Sequence, residues 1–115
     1  MTAHAKGHGT GHFIAERVTA IALLVLTPWF IVSVALLDGG YDGARAWAGQ
    51  PLNAIGIGLF ILITLYHTRL GLQVIVDDYI AKPGTRGILL GLSTVLTWAA
   101  GLISAYALYS ISFGG

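Results

Sequence analysis

Three long runs without a charged residue organise the chain. Residues 18–37 lie between Arg17 and Asp38, and residues 46–68 run up to Arg69, after which apolar residues resume as far as Val76. From Gly87 to the last residue there is no charge at all. About twenty residues of helix cross the roughly 30 Å hydrocarbon core of a bilayer, so each run is long enough to span it. The segments between the runs hold Gly39-Gly40, Asp42-Gly43 and Pro83-Gly84, which punctuate loops. The pattern predicts an all-α integral membrane protein with transmembrane helices near 14–38, 52–78 and 86–112. Residues 14–115 then form one three-helix membrane domain, preceded by a tail over 1–13. A soluble bundle is excluded because three wholly apolar helices leave no amphipathic shell to cover them.

Composition strengthens this reading. Hydrophobic residues make up 56% of the 115 positions and charged residues 10%, against about a quarter in soluble domains. The net charge of +1 gives a nucleic-acid partner no electrostatic footprint, and the absence of cysteine removes disulfides, iron–sulfur ligation and thiol chemistry. The N-terminus is read as mature, because no small-residue cleavage site follows the first apolar run. Pro28, inside that run, is tolerable in lipid. Ala54 with Gly58, and Gly87 with Gly91, are small residues four apart that allow another helix to come close. Trp29, Trp47 and Trp98 are read by default as interface anchors.

Orientation follows from the cations. Lys6 and Arg17 precede the first span, and Lys82 and Arg86 occupy the second loop, which three spans place on the same face. The opposite face has Arg45 alone. The positive-inside rule therefore puts the N-terminus and second loop in the cytoplasm and the C-terminus in the periplasm, or in the matrix and intermembrane space of an organelle.

The second span carries the chemistry. His67 lies roughly 16 Å of helix rise from Asp78, and ionisable residues at that depth usually face a cavity, partner or cofactor. His67, Gly71, Val74 and Asp78 follow at intervals of four, three and four, on one helical face. An imidazole with a glycine one turn away suits a haem-ligating helix; a histidine hydrogen-bonded to a neighbouring helix fits the spacing as well. Only one histidine lies within a span, so a haem with two histidine ligands would need the second from another polypeptide.

The run His67-x-x-x-Gly71, followed by Asp78-Tyr79, resembles the second helix of the small hydrophobic anchor subunit of succinate dehydrogenase, respiratory complex II. The stretch Gly11-His12-Phe13-Ile14-Ala15-Glu16-Arg17-Val18-Thr19-Ala20-Ile21 resembles that family's entry into its first helix. The form Gln73-Val74-Ile75-Val76-Asp77-Asp78-Tyr79 is most similar to the alphaproteobacterial and mitochondrial branch. The resemblance implies a membrane anchor in the inner (cytoplasmic) membrane, in a heteromeric helix bundle with a cytochrome b subunit, an iron–sulfur subunit and a flavoprotein subunit. It implies His67 as one axial ligand of a shared haem b, with Gly71 beside it and Arg17 near the haem propionates. It implies Tyr79, supported by Asp78, as part of the site where ubiquinone is reduced with electrons from succinate.

Each role suits its residue type. Neutral imidazole ligates haem iron, a phenol donates to a carbonyl oxygen, and guanidinium pairs with carboxylates. The plainer roles remain open: Asp78 and Tyr79 as helix-end residues, and Arg17 as a snorkelling anchor. Arg69 has no assigned role. His4, His8 and His12 recur every four residues, which hints at metal, but Gly7, Gly9 and Gly11 between them disfavour a stable helix. A flexible cytoplasmic tail against soluble subunits is expected instead. The alternatives are an anchor of a quinone-linked fumarate reductase, and a small transporter or assembly subunit without haem. A transporter would need a charged residue deep in a helix facing the bundle centre, often with internal repeats, whereas the acids here sit at helix ends and no repeat is visible.

Overall fold

The computed structural model describes residues 2–114, with side chains from Thr10 onward. Four helices follow in order: α1 (Thr2–Ala35), α2 (Gly40–Gly49), α3 (Pro51–Tyr79) and α4 (Pro83–Phe113). α1, α3 and α4 are long and apolar enough to cross a membrane. They form an elongated body of 55 × 26 × 21 Å in which α3 packs against both α1 and α4.

Two helix starts have a local cause. Pro51 and Pro83 each occupy the first helical position, where the missing N–H costs nothing and the fixed φ favours the helix. The chain passes through Pro28 without leaving the helix. α1 ends at Ala35 rather than near 38, because the chain must turn towards α2. Leu37 N–H reaches back only three residues, to Val34 O at 3.2 Å, and Gly39 and Gly40 then take φ of +90° and +60°. Those left-handed values suit glycine, which carries no Cβ to clash. Gly43 completes the turn: a Cβ there would overlap the Asp38 carbonyl.

Two further features differ from expectation. The first loop contains α2, since Ala44-Arg45-Ala46-Trp47-Ala48 is a run of mostly good helix formers released by the glycine turn. The backbone of α1 begins at Thr2, well before residue 14. Extending a helix adds one hydrogen bond per residue fixed, so a long span can carry weak formers at its end. The side chains of His4 and His8 lie outside the described residues. His12 Nδ1 pairs with Glu16 at 3.0 Å, and no cluster of three metal-ligating residues occurs among the described residues.

The chain has almost no core of its own. Among the described residues only Thr19, Ile57 and Val76 are buried, while thirty large apolar side chains are exposed. In lipid, apolar exposure carries no penalty and helices associate through close packing instead. An aromatic cluster fills the place where α1, α2 and α3 meet. Trp29 stacks 5.8 Å from Trp47, and Phe30 lies 5.1 Å from Phe60. Gly56 admits the Trp29 ring, which a Cβ would meet at 2.7 Å. Trp29 and Trp47 thus knit the helices together, and Trp98 sits in the middle of α4 rather than at its end. Of the small pairs, Gly58 receives Leu108 of α4, whereas Cβ atoms at Gly87 and Gly91 would meet nothing.

Candidate functional site

α1 and α3 run antiparallel, so the middle of α3 meets the first half of α1. There His67 Nδ1 lies 2.7 Å from Thr19 Oγ1. Thr19 is the one buried polar residue among those described, at 8% exposure, and its hydroxyl also reaches Ala15 O at 2.7 Å and Glu16 O at 3.1 Å. The other ring nitrogen of His67 has no hydrogen-bond partner among the described residues and is not enclosed. One turn further along α3, a Cβ at Gly71 would meet no atom within 4 Å. The histidine is therefore gripped on one side and open on the other, beside a gap this chain does not fill.

This arrangement fits a ring-shaped metal cofactor shared with a second polypeptide. The donor is an imidazole with one nitrogen engaged and one available, and the missing Cβ leaves room for a flat macrocycle.

The remaining predicted residues are spread along one end of the bundle. Asp78 and Tyr79 close α3; both are exposed, Tyr79 at 80%, and no hydrogen bond among the described residues engages either side chain. Asp77, their neighbour, is committed: Arg86 Nη2 donates to it at 2.6 Å and Gln73 Nε2 at 3.2 Å. Arg17 is exposed, with its guanidinium carbon 4.8 Å above the Phe13 ring. It stands two residues from Thr19, about 200° around the helix, so α1 does not aim it at His67.

Arg69, unassigned from sequence, has partners here. Its Nε donates to Thr94 Oγ1 at 3.1 Å and its Nη1 to Gln73 Oε1 at 3.0 Å. The series Thr94–Arg69–Gln73–Asp77–Arg86 is a continuous polar line joining α3 to α4. It borders an open groove of about 870 Å³ that His12, Phe13 and Glu16 of α1 also line. The groove does not include His67, Gly71, Asp78 or Tyr79. Sequence reasoning also missed Thr19, a threonine in an apolar run whose meaning depends on a helix register across 48 residues.

Comparison with known proteins adds an independent line. The family described as succinate dehydrogenase/fumarate reductase transmembrane subunit matches residues 2–103. A succinate dehydrogenase hydrophobic membrane anchor subunit of Paracoccus denitrificans is 35% identical over 107 residues, covering 92% of this chain and 82% of that one. Proteins of the same description from Rickettsia felis and Rickettsia bellii are 26% and 28% identical, covering 89% and 85% of this chain and 88% and 82% of theirs. No solved structure matches the chain.

Proposed function

This chain belongs to the succinate dehydrogenase/fumarate reductase transmembrane subunit family, and from that premise we propose that it contributes one axial ligand to a shared haem b and part of a ubiquinone-reduction site. It is the membrane anchor subunit of a succinate dehydrogenase, and the three apolar spans are the anchor. The observation that carries the finer reading is the half-satisfied histidine: His67 is held by Thr19 through Nδ1, with its other nitrogen free beside Gly71.

Haem at this position would supply a one-electron carrier within the bilayer. His67 would be the residue of this chain that holds its iron, and a cytochrome b subunit would supply the ligand that this chain lacks. Arg17, exposed on α1 two residues before Thr19, would pair with propionate carboxylates.

At the end of α3, the Tyr79 hydroxyl would donate a hydrogen bond to a quinone carbonyl oxygen, favouring the charge that builds there during reduction. Asp78, free of the ion pair that occupies Asp77, would stand ready to exchange protons with water. Electrons would arrive from an iron–sulfur subunit and, before it, a flavoprotein subunit, since this chain has no cysteine to hold a cluster. The cationic end, with Arg17, Lys82 and Arg86, would face the cytoplasm.

The test is spectroscopic. The intact complex in mild detergent should give a reduced-minus-oxidised spectrum of b type. In the His67→Ala complex that signal should be lost or converted to a high-spin form, with the flavoprotein still attached. An unchanged low-spin spectrum in that variant would refute the ligand assignment.

A further inference from the structure

The Thr19 hydroxyl has a single proton and three close neighbours: Ala15 O at 2.7 Å, Glu16 O at 3.1 Å and His67 Nδ1 at 2.7 Å. Carbonyl oxygens only accept, so where the proton points fixes what the imidazole must do. If the hydroxyl donated to Nδ1, its lone pairs would face the Ala15 oxygen at 2.7 Å with no proton between them. That is a repulsive oxygen–oxygen contact, and at 8% exposure there is little room for water to relieve it. If the hydroxyl donates to Ala15 O, with Glu16 O as the longer acceptor of the same bifurcated proton, the repulsion is removed, and Nδ1 must then carry the proton given to Oγ1. The relay runs His67 Nδ1–H to Thr19 Oγ1, then Thr19 O–H to Ala15 O. Back-bonding of a threonine hydroxyl to the carbonyl four residues earlier is a common helix motif, so the relay starts from an ordinary local bond.

We propose that Thr19 is the positioning residue of the haem site: by accepting the Nδ1 proton of His67 it fixes the tautomer and ring angle that present the Nε2 lone pair to iron. This rests on the ligand role argued for His67. Nothing else in the described chain touches the ring by hydrogen bond, so the orientation of the ligand depends on this one hydroxyl. A hydrogen bond accepted from Nδ1–H also makes imidazole a stronger donor, which favours ferric over ferrous iron. Thr19 is thus assigned a share in setting the haem's midpoint potential as well as its retention.

The experiment uses the intact complex with Thr19→Val, Thr19→Ala and Thr19→Ser. Haem content is measured relative to covalent or bound flavin, the midpoint potential by spectroelectrochemical titration, and the low-spin signal by electron paramagnetic resonance. Val preserves the shape without the hydroxyl, Ala removes both, and Ser restores the hydroxyl alone. The expected result is that Val and Ala raise the ferrous-to-ferric ratio at a fixed ambient potential about tenfold, a shift of about 59 mV for a one-electron couple. Their resonance signal should broaden as the ring angle is released, while Ser stays near the parent. Should Val fail to assemble, the contrast between Ser and Ala carries the same test. Equal potentials and signals in Ser and Ala would overturn the assignment of Thr19 while leaving His67 as ligand. An unaltered low-spin signal in His67→Ala would instead remove the ligand reading and this inference with it.

Discussion

Gly56 and Gly71 sit fifteen residues apart on α3, and the two do opposite things. At Gly56 the space left by the missing side chain is filled by this chain's own Trp29, whose ring a Cβ would meet at 2.7–3.2 Å. At Gly71 the same kind of space is empty to 4 Å. One end of the bundle is therefore closed from within by Trp29, Phe30, Trp47 and Phe60. The other end holds the polar side chains, an open groove and a histidine with one free nitrogen. A glycine in a membrane helix marks a close approach, and only the packing around it tells whether the visitor belongs to the same chain or to another.

Gly56→Leu should break the closed end with the largest effect. Forcing a branched side chain against the Trp29 ring costs about 1–3 kcal/mol in a packed site, and the complex should melt correspondingly lower. Combining it with Trp29→Ala should recover part of that loss, since the two residues are in direct contact. Additive losses in the double variant would mean that the ring is not the obstacle.

Gly71→Leu is the converse and should be smaller in stability but sharper in function. The chain's own packing offers no obstacle, so the anchor should still insert and associate with its partners. Haem content should fall about tenfold, the scale on which supporting changes around a metal ligand act. Full haem occupancy in an assembled Gly71→Leu complex would show that the gap is not used.

The smallest effects separate two adjacent acids. Asp77 is tied to Arg86 and Gln73, an exposed pair whose loss in Asp77→Asn should cost less than about 1 kcal/mol and leave quinone reduction intact. Asp78→Asn should leave melting unchanged and slow quinone reduction, while turnover with a soluble dye acceptor is spared. Reversed outcomes would exchange the roles of the two residues.

Much of the architecture was legible from charge spacing alone. The second and third spans, expected over 52–78 and 86–112, appear as Pro51–Tyr79 and Pro83–Phe113, because a long apolar run that a proline opens at the first helical position leaves the backbone few alternatives. The short helix α2 was hidden by the glycines before it. Loop punctuation was visible, but the run of alanines that follows the turn was outweighed by it. The depth of His67 and the open space at Gly71 were readable as a face of one helix. Thr19 was not, because its pairing with His67 depends on how two helices 48 residues apart are rotated against each other. Nor was the ion pair of Asp77 with Arg86, which distinguishes that acid from its neighbour only once α3 and α4 are packed. Arg69 had the opposite problem: its position was obvious, and its partners Thr94 and Gln73 carry no charge to suggest them.

With few side chains buried among the described residues, the spans of an isolated copy are held together mainly by the Trp29–Trp47 cluster and by the polar contacts of Arg69 and Asp77 with α4. Whatever binds the open face would add to that packing by mass action. A copy without partners would leave the unfilled side of His67 and thirty exposed apolar side chains to lipid alone.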